Sequence, residues 1–187
     1  MAMEKIKVWT KQNRAVLKQL ENDGRYIARK EYIIKDLQEH ADLVLEVYDW
    51  LSRSGPLSKD KPKDVSYPIW VSFKKDATMM NDENSVILEL EIDPNIITHV
   101  NIEKWGMILN YSYIPADEDD AKRHRQLLAD YGVSDAQAYM SRFYPQIKME
   151  IMSSWSRLFD ENIKANSDAC YVNIWEVKEE WITQIIK

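Results

Sequence analysis

From Val86 to Asp93 the chain alternates strictly, with Val86, Leu88, Leu90 and Ile92 on one side and Glu89 and Glu91 on the other. That period predicts a strand with one buried face. KIKVWT (Lys5–Thr10) alternates in the same way, with Ile6 and Val8 facing one way and Lys7 and Trp9 the other. Thr10 is then placed to cap a helix that carries Val16, Leu17 and Leu20 and closes at Gly24. A helical region follows RYIARKEY, and its strongest part sets Leu43, Val44, Val47, Tyr48 and Leu51 on one stripe before SRSGP stops it. SYPIWVSF (Ser66–Phe73) reads as a strand with Ile69, Val71 and Phe73 facing inward and Trp70 and Ser72 on the other face. Pro68 has no amide hydrogen for a ladder, so this strand belongs at a sheet edge or a bulge.

Further along, Ile102–Leu109 predicts a short helix. Pro115 opens the clearest helix start, PADEDDAKRHRQLLADYG, with acids in the first turn, bases after them and Gly132 closing it. Met140, Phe143, Ile147, Ile151, Trp155 and Leu158 form a second helical stripe, which Pro145 restarts. Tyr171–Val177 reads as one strand, followed by a last apolar element. Asp93-Pro94-Asn95 is a turn, and GPLSKDKPKD is no longer than an ordinary surface loop. Strands at both ends with helices between them predict a single α+β domain over residues 1–187, with a mixed or antiparallel sheet and several packed helices.

Composition narrows the classes. At 187 residues, 45% hydrophobic and 30% charged, the chain is globular and long enough for a substantial core. A formal charge of −6, with bases interleaved among acids, argues against nucleic-acid binding and against a polybasic membrane anchor. Cys170 is the only cysteine, so no intramolecular disulfide forms, in keeping with a reducing compartment. No apolar run reaches the ~18 residues of a membrane span. A cytoplasmic protein is the expectation.

Four glycines, at 24, 55, 106 and 132, leave no room for glycine-dependent phosphate or dinucleotide motifs. His40, His99 and His124 share no short spacing, so no metal site is expected. ADEDD fits a solvated helix start better than a cation site. Glu89 and Glu91 share a strand face, a spacing that suits acid–base work but fits an exposed sheet face more simply.

Aromatic and amide chemistry remains, in a chain with seven tryptophans and ten tyrosines against three phenylalanines. Trp9 lies beside Thr10 and Gln12, Tyr67 beside Trp70 and Ser72, and Tyr171 beside Asn173 and Trp175. A ring stacks a planar ligand while an amide or hydroxyl orients it. A cleft between the first strand, the YPIW strand and the C-terminal strand is the expected site. Trp70 would border it with Tyr67 at the rim and Gln12 or Glu176 supplying polarity. The expected ligand is small and nucleotide-like. The alternative is a non-enzymatic module that anchors a partner protein through an exposed Trp and Tyr patch. The sequence assigns no catalytic residue and no cofactor.

The blocks KVWTKQ (Lys7–Gln12), YDWL (Tyr48–Leu51), YPIW (Tyr67–Trp70), ILELEI (Ile87–Ile92), LNYSYIP (Leu109–Pro115), SWSRLFD (Ser154–Asp160) and IWEV (Ile174–Val177) span nearly the whole chain. In these blocks the chain resembles a family of small bacterial proteins classed as a domain of unknown function. The resemblance implies a soluble bacterial protein and supplies no activity. The order of elements is also similar to ADP-ribosyltransferase-like folds. That likeness implies Thr10 or Gln12 gripping a nicotinamide amide, Tyr67 or Trp70 stacking on its ring, and Glu176 holding a ribose hydroxyl. The opening His or Arg of those enzymes is missing here.

Overall fold

A computed structural model describes residues 4–37, 41–78 and 82–187. In chain order its strands and helices are β1 (Ile6–Asn13), α1 (Val16–Asp23), β2 (Arg25–Tyr26), α2 (Lys30–Leu37), α3 (Ala41–Ser54), β3 (Ile69–Val71), β4 (Ser85–Ile92) and β5 (Thr98–Asn101). Then follow α4 (Ile102–Leu109), α5 (Glu118–Tyr131), α6 (Asp135–Met140), α7 (Pro145–Ser154), β6 (Cys170–Ile174), β7 (Val177–Lys178) and β8 (Ile182–Ile186). The class is α+β, as expected. The chain divides into two compact units, Met1–His99 with Tyr171–Lys187, and Val100–Cys170.

In the first unit β4 is a central strand, paired antiparallel with β1 on one side and β8 on the other. Its alternating face supplies Val86, Leu88, Leu90 and Ile92, all buried, to a core shared with Val8, Val16, Leu20, Ile69, Val71, Val172 and Ile174. Glu89, on the opposite face, keeps only 13% side-chain exposure and accepts from Lys7, Trp9 and Thr183. The Lys7 hydrogen bond leads these in holding its carboxyl below the usual range. It is a structural ion pair. Separate antiparallel ladders join β2 to β7 and β3 to β6.

Several local expectations need correction. β1 runs on to Asn13, so Thr10 lies inside a strand and does not cap α1; the Asn13 carbonyl oxygen Oδ1 accepts from the Ala15 amide instead. β3 stops at Val71, because the next residue, Ser72, bridges to Trp9. Phe73 therefore turns out to solvent, 45% exposed and stacked on His99. The predicted strand Tyr171–Val177 breaks at Trp175 and Glu176, and its last residue pairs instead with β2. Of the α3 stripe, Val47 and Leu51 are buried. The Leu43 side chain and His40 lie outside the described residues.

The second unit is helical apart from its ends. α5 begins at Glu118, three residues later than the start led by Pro115, because Asp117 is the residue whose side chain caps it, accepting from the Asp120 amide. Gly132 ends α5 in the left-handed conformation, at φ 64°. The Met140–Leu158 stripe is not one helix. α6 ends at Met140, Pro145 starts α7, and a 3-10 turn carries Trp155–Phe159. Met140 and Phe143 are consequently exposed, at 59% and 88%, whereas Ile147, Ile151, Trp155 and Leu158 are buried. Trp155 stacks on Tyr139, which stacks in turn on Tyr111. Tyr111 follows α4 at φ 55°, a conformation that costs a non-glycine residue about 1–2 kcal/mol and that the Tyr139 stack helps to hold. Buried Lys104 donates to the carbonyls of Arg157 and Asp160, closing the end of the 3-10 turn.

Candidate functional site

The end of β1 builds one wall of a cavity. Lys11, Gln12 and Asn13 line it together with Tyr26, Arg29 and Tyr48 and with Pro68 to Trp70, around a volume of about 280 Å³. Every one of these residues belongs to the first unit. Trp70 is half-buried, and its Nε1 donates to the Tyr48 hydroxyl at 3.2 Å. Burial pushes the Tyr48 hydroxyl pKa up, so the phenol stays neutral.

A chain of hydrogen bonds fixes the polar group beside this indole. Thr10 Oγ1 donates to the Trp70 carbonyl at 2.8 Å, which uses its only hydrogen. The same oxygen can then only accept from Gln12, whose Nε2 lies 2.8 Å away. The Gln12 amide is thereby oriented with its NH2 on Thr10, leaving Oε1 as an acceptor for an N–H donor in the cavity. Arg29 brings charge: its side chain is exposed and forms no ion pair among the described residues. Lys11 also lines the wall and pairs with Asp82 at 3.3 Å.

Of the residues singled out in the sequence, Thr10, Gln12 and Trp70 come together here. The others do not reach the cavity. Trp9 points to the opposite face of β1 and donates to Glu89 at 3.2 Å. Tyr67 is buried against Leu45 and Tyr48, behind the lining rather than at its rim. Asn173 faces Trp70 across the β3–β6 ladder but is buried, and its Nδ2 has no hydrogen-bond partner. Glu176 pairs with Arg25 at 2.7 Å in the wall of a separate cavity, so it does not share a concavity with Trp70 and Gln12. Arg29 and Tyr48 were not singled out. A lone arginine beside a two-residue strand carries no sequence signal, and Tyr48 reads only as part of a core stripe.

The second unit holds a polar cluster that spacing does not reveal. His124, on α5, is 3% exposed. Its Nδ1 lies 2.8 Å from Glu150 on α7, and its Nε2 lies 2.7 Å from Asp135 on α6. Tyr113 stacks flat on the imidazole, centroids 3.9 Å apart. Next to it, Asp120 accepts from the Tyr113 hydroxyl, the Ala116 amide, Arg123 and Arg157. Burial pushes the Asp120 carboxyl up, but these donors outweigh it and hold the carboxyl well below the usual range.

Burial likewise disfavours the charged imidazole of His124, yet its bonds to Asp135 and Glu150 prevail and raise its pKa. Burial pushes Glu150 up, and Arg123 and His124 more than reverse this, so its pKa is lowered. The His124 contribution to stability is therefore complete below the unfolded histidine value of about 6.5 and lost as pH rises through the higher folded value. That of Glu150 is present above its unfolded value of about 4.3 and lost in acid. Denaturant midpoints should fall as pH rises above about 6.5, and a His124→Gln variant should lose most of that slope. Among the described residues no group of three or more His, Cys, Asp or Glu side chains is placed to hold a metal ion.

None of the seven tryptophans is fully exposed; the large apolar groups most open to solvent in the second unit are Phe143, Met149, Met140 and Tyr131. Among the described residues no helix is long and apolar enough to cross a membrane. The profile of a family described as Domain of unknown function (DUF3841) matches residues 7–183. No curated protein and no solved structure matches the chain.

Proposed function

The chain belongs to the DUF3841 family, whose description names no activity, and we propose from its geometry that the first unit binds a small nucleotide-like ligand. The observation that carries this reading is the oriented Gln12 amide in the same cavity wall as Trp70, where the Arg29 guanidinium has no ion pair among the described residues. A planar heterocycle stacks against the aromatic wall of Trp70, Tyr48 and Tyr26. Its N–H donates to Gln12 Oε1, and a phosphate or other anionic group meets Arg29, with Lys11 nearby. The volume suits a base with its sugar better than a dinucleotide. We assign no reaction: among the described residues that line the cavity there is no histidine, cysteine or carboxylate to act as base or nucleophile.

Titration with the four nucleoside monophosphates, followed by calorimetry and tryptophan fluorescence, tests the proposal. At least one should bind, and its parent nucleoside should bind about tenfold more weakly, the equivalent of one charge-assisted contact. Trp70→Ala should abolish binding, and Arg29→Ala should erase the preference for the phosphate. Absence of binding by all four at about 5 mM, to folded protein, would rule the reading out.

A further inference from the structure

Glu176 lies in the wall of a second cavity of the first unit, about 160 Å³ in volume, lined by Trp175, Trp181, Asp60, Asn95 and Leu57 among others. Among the described residues its lining contains two indoles and two carboxylates and no lysine or arginine. The segment GPLSKDKPKD, ordinary as a loop, supplies Leu57, Asp60 and Pro62 to this wall. Trp175 is held in place by its Nε1, which donates to the Leu57 carbonyl at 3.0 Å.

The charges in the wall are not equivalent. Glu176 is matched by Arg25 at 2.7 Å and approached by Lys178 at 3.8 Å. The Asp60 carboxylate forms no ion pair among the described residues. Asp60 thus sets a carboxylate with no ion pair among the described residues beside two electron-rich rings, a lining that suits a cation. The chain itself illustrates the preference, for the Lys178 ammonium lies 5.3 Å from the centroid of the Trp181 ring.

We propose that this cavity is a binding site for a small quaternary ammonium group, caged by Trp175 and Trp181 and balanced by Asp60. A primary ammonium carries three N–H donors that each need an acceptor, and a wall dominated by indole and aliphatic groups offers few. A quaternary ammonium has no donors to satisfy, and its diffuse charge suits aromatic faces. The site shares no lining residue with the nucleotide-like site and does not depend on it.

The test uses choline and its neutral carbon isostere, 3,3-dimethyl-1-butanol, with the indole N–H signals of Trp175 and Trp181 as the readout. Choline should shift both signals saturably, and the isostere should bind at least about tenfold more weakly, since only the cation–π and ionic terms differ. Trp181→Leu should remove binding. Asp60→Asn, an exposed and well-tolerated change, should weaken choline several-fold and flatten its salt dependence. Lys178→Gln should tighten binding by removing the internal competitor. Trp70→Ala should leave choline binding unchanged, which separates this site from the other cavity. Equal affinity for choline and the isostere would overturn the proposal, as would unmoved indole signals or an Asp60→Asn variant that binds choline like the parent.

Discussion

Trp155→Ala is expected to lower the unfolding free energy by about 3–5 kcal/mol, the range for deleting a fully buried tryptophan. The residue is 0% exposed in the second unit. Its indole stacks on Tyr139 at 5.5 Å, and its Nε1 donates to the Ser112 carbonyl at 3.0 Å. Three losses coincide in the variant: apolar burial, a stacked pair, and a carbonyl left in a cavity without its donor. Because Tyr139 also supports Tyr111, the cavity has little means to collapse without disturbing the turn after α4. Urea denaturation followed by far-UV circular dichroism measures the effect. A midpoint within error of the parent would overturn the assignment of Trp155 to the core.

Asp120→Ala should cost about 2–4 kcal/mol, somewhat less than a fully enclosed ion pair because its side chain and that of Arg157 keep 17% and 27% exposure. One carboxylate here organises four donors from three segments: Tyr113 and Ala116 before α5, Arg123 within it, and Arg157 in the 3-10 turn. Removing it leaves Arg157, which also donates to the Ile114 carbonyl, half-buried without its counter-ion. The matched control is Asp119→Ala in the same acidic run. Asp119 is 96% exposed and touches only Lys122, at 3.5 Å, so its loss should stay within about 0.5 kcal/mol. The two variants differ in acid as well. The depressed Asp120 carboxyl contributes stability above its unfolded value of about 3.9 that fades as pH falls, and Asp120→Ala should flatten that acid limb. Equal effects from Asp119 and Asp120 would reduce the cluster to generic surface charge.

This contrast shows where sequence reading stops. The run ADEDD announces a helix start, and the structure has one, but nothing in the run distinguishes the solvated Asp119 from the half-buried Asp120. The difference is made by Arg157, 37 positions away. His124 is hidden for the same reason: its partners are 11 and 26 residues distant and on different helices. Local periodicity served well where one element packs on one face, as in β4, in α4 and in α1 with its Gly24 cap. It failed at Met140–Leu158, where the arithmetic of a helical stripe continues across Ser141–Tyr144 although the chain leaves the helix there. Within the candidate site, Gln12 and Trp70 were legible because an indole and an amide are unusual on short strands. Arg29 was not, since a surface arginine acquires meaning only from the cavity beside it.

The position of β8 bears on how the protein is made. β4 is flanked by β1, synthesised before it, and by β8, which pairs Leu88 with Ile185 and is translated almost a hundred residues later. The whole of Val100–Cys170 leaves the ribosome in that interval, as one uninterrupted stretch whose Tyr111, Tyr139 and Trp155 find one another without the last strand. During that time one edge of β4 offers unpaired backbone groups to any extended chain nearby. Nascent chains, and chains truncated before Ile182, therefore expose a β4 edge open to capture by chaperones or by each other.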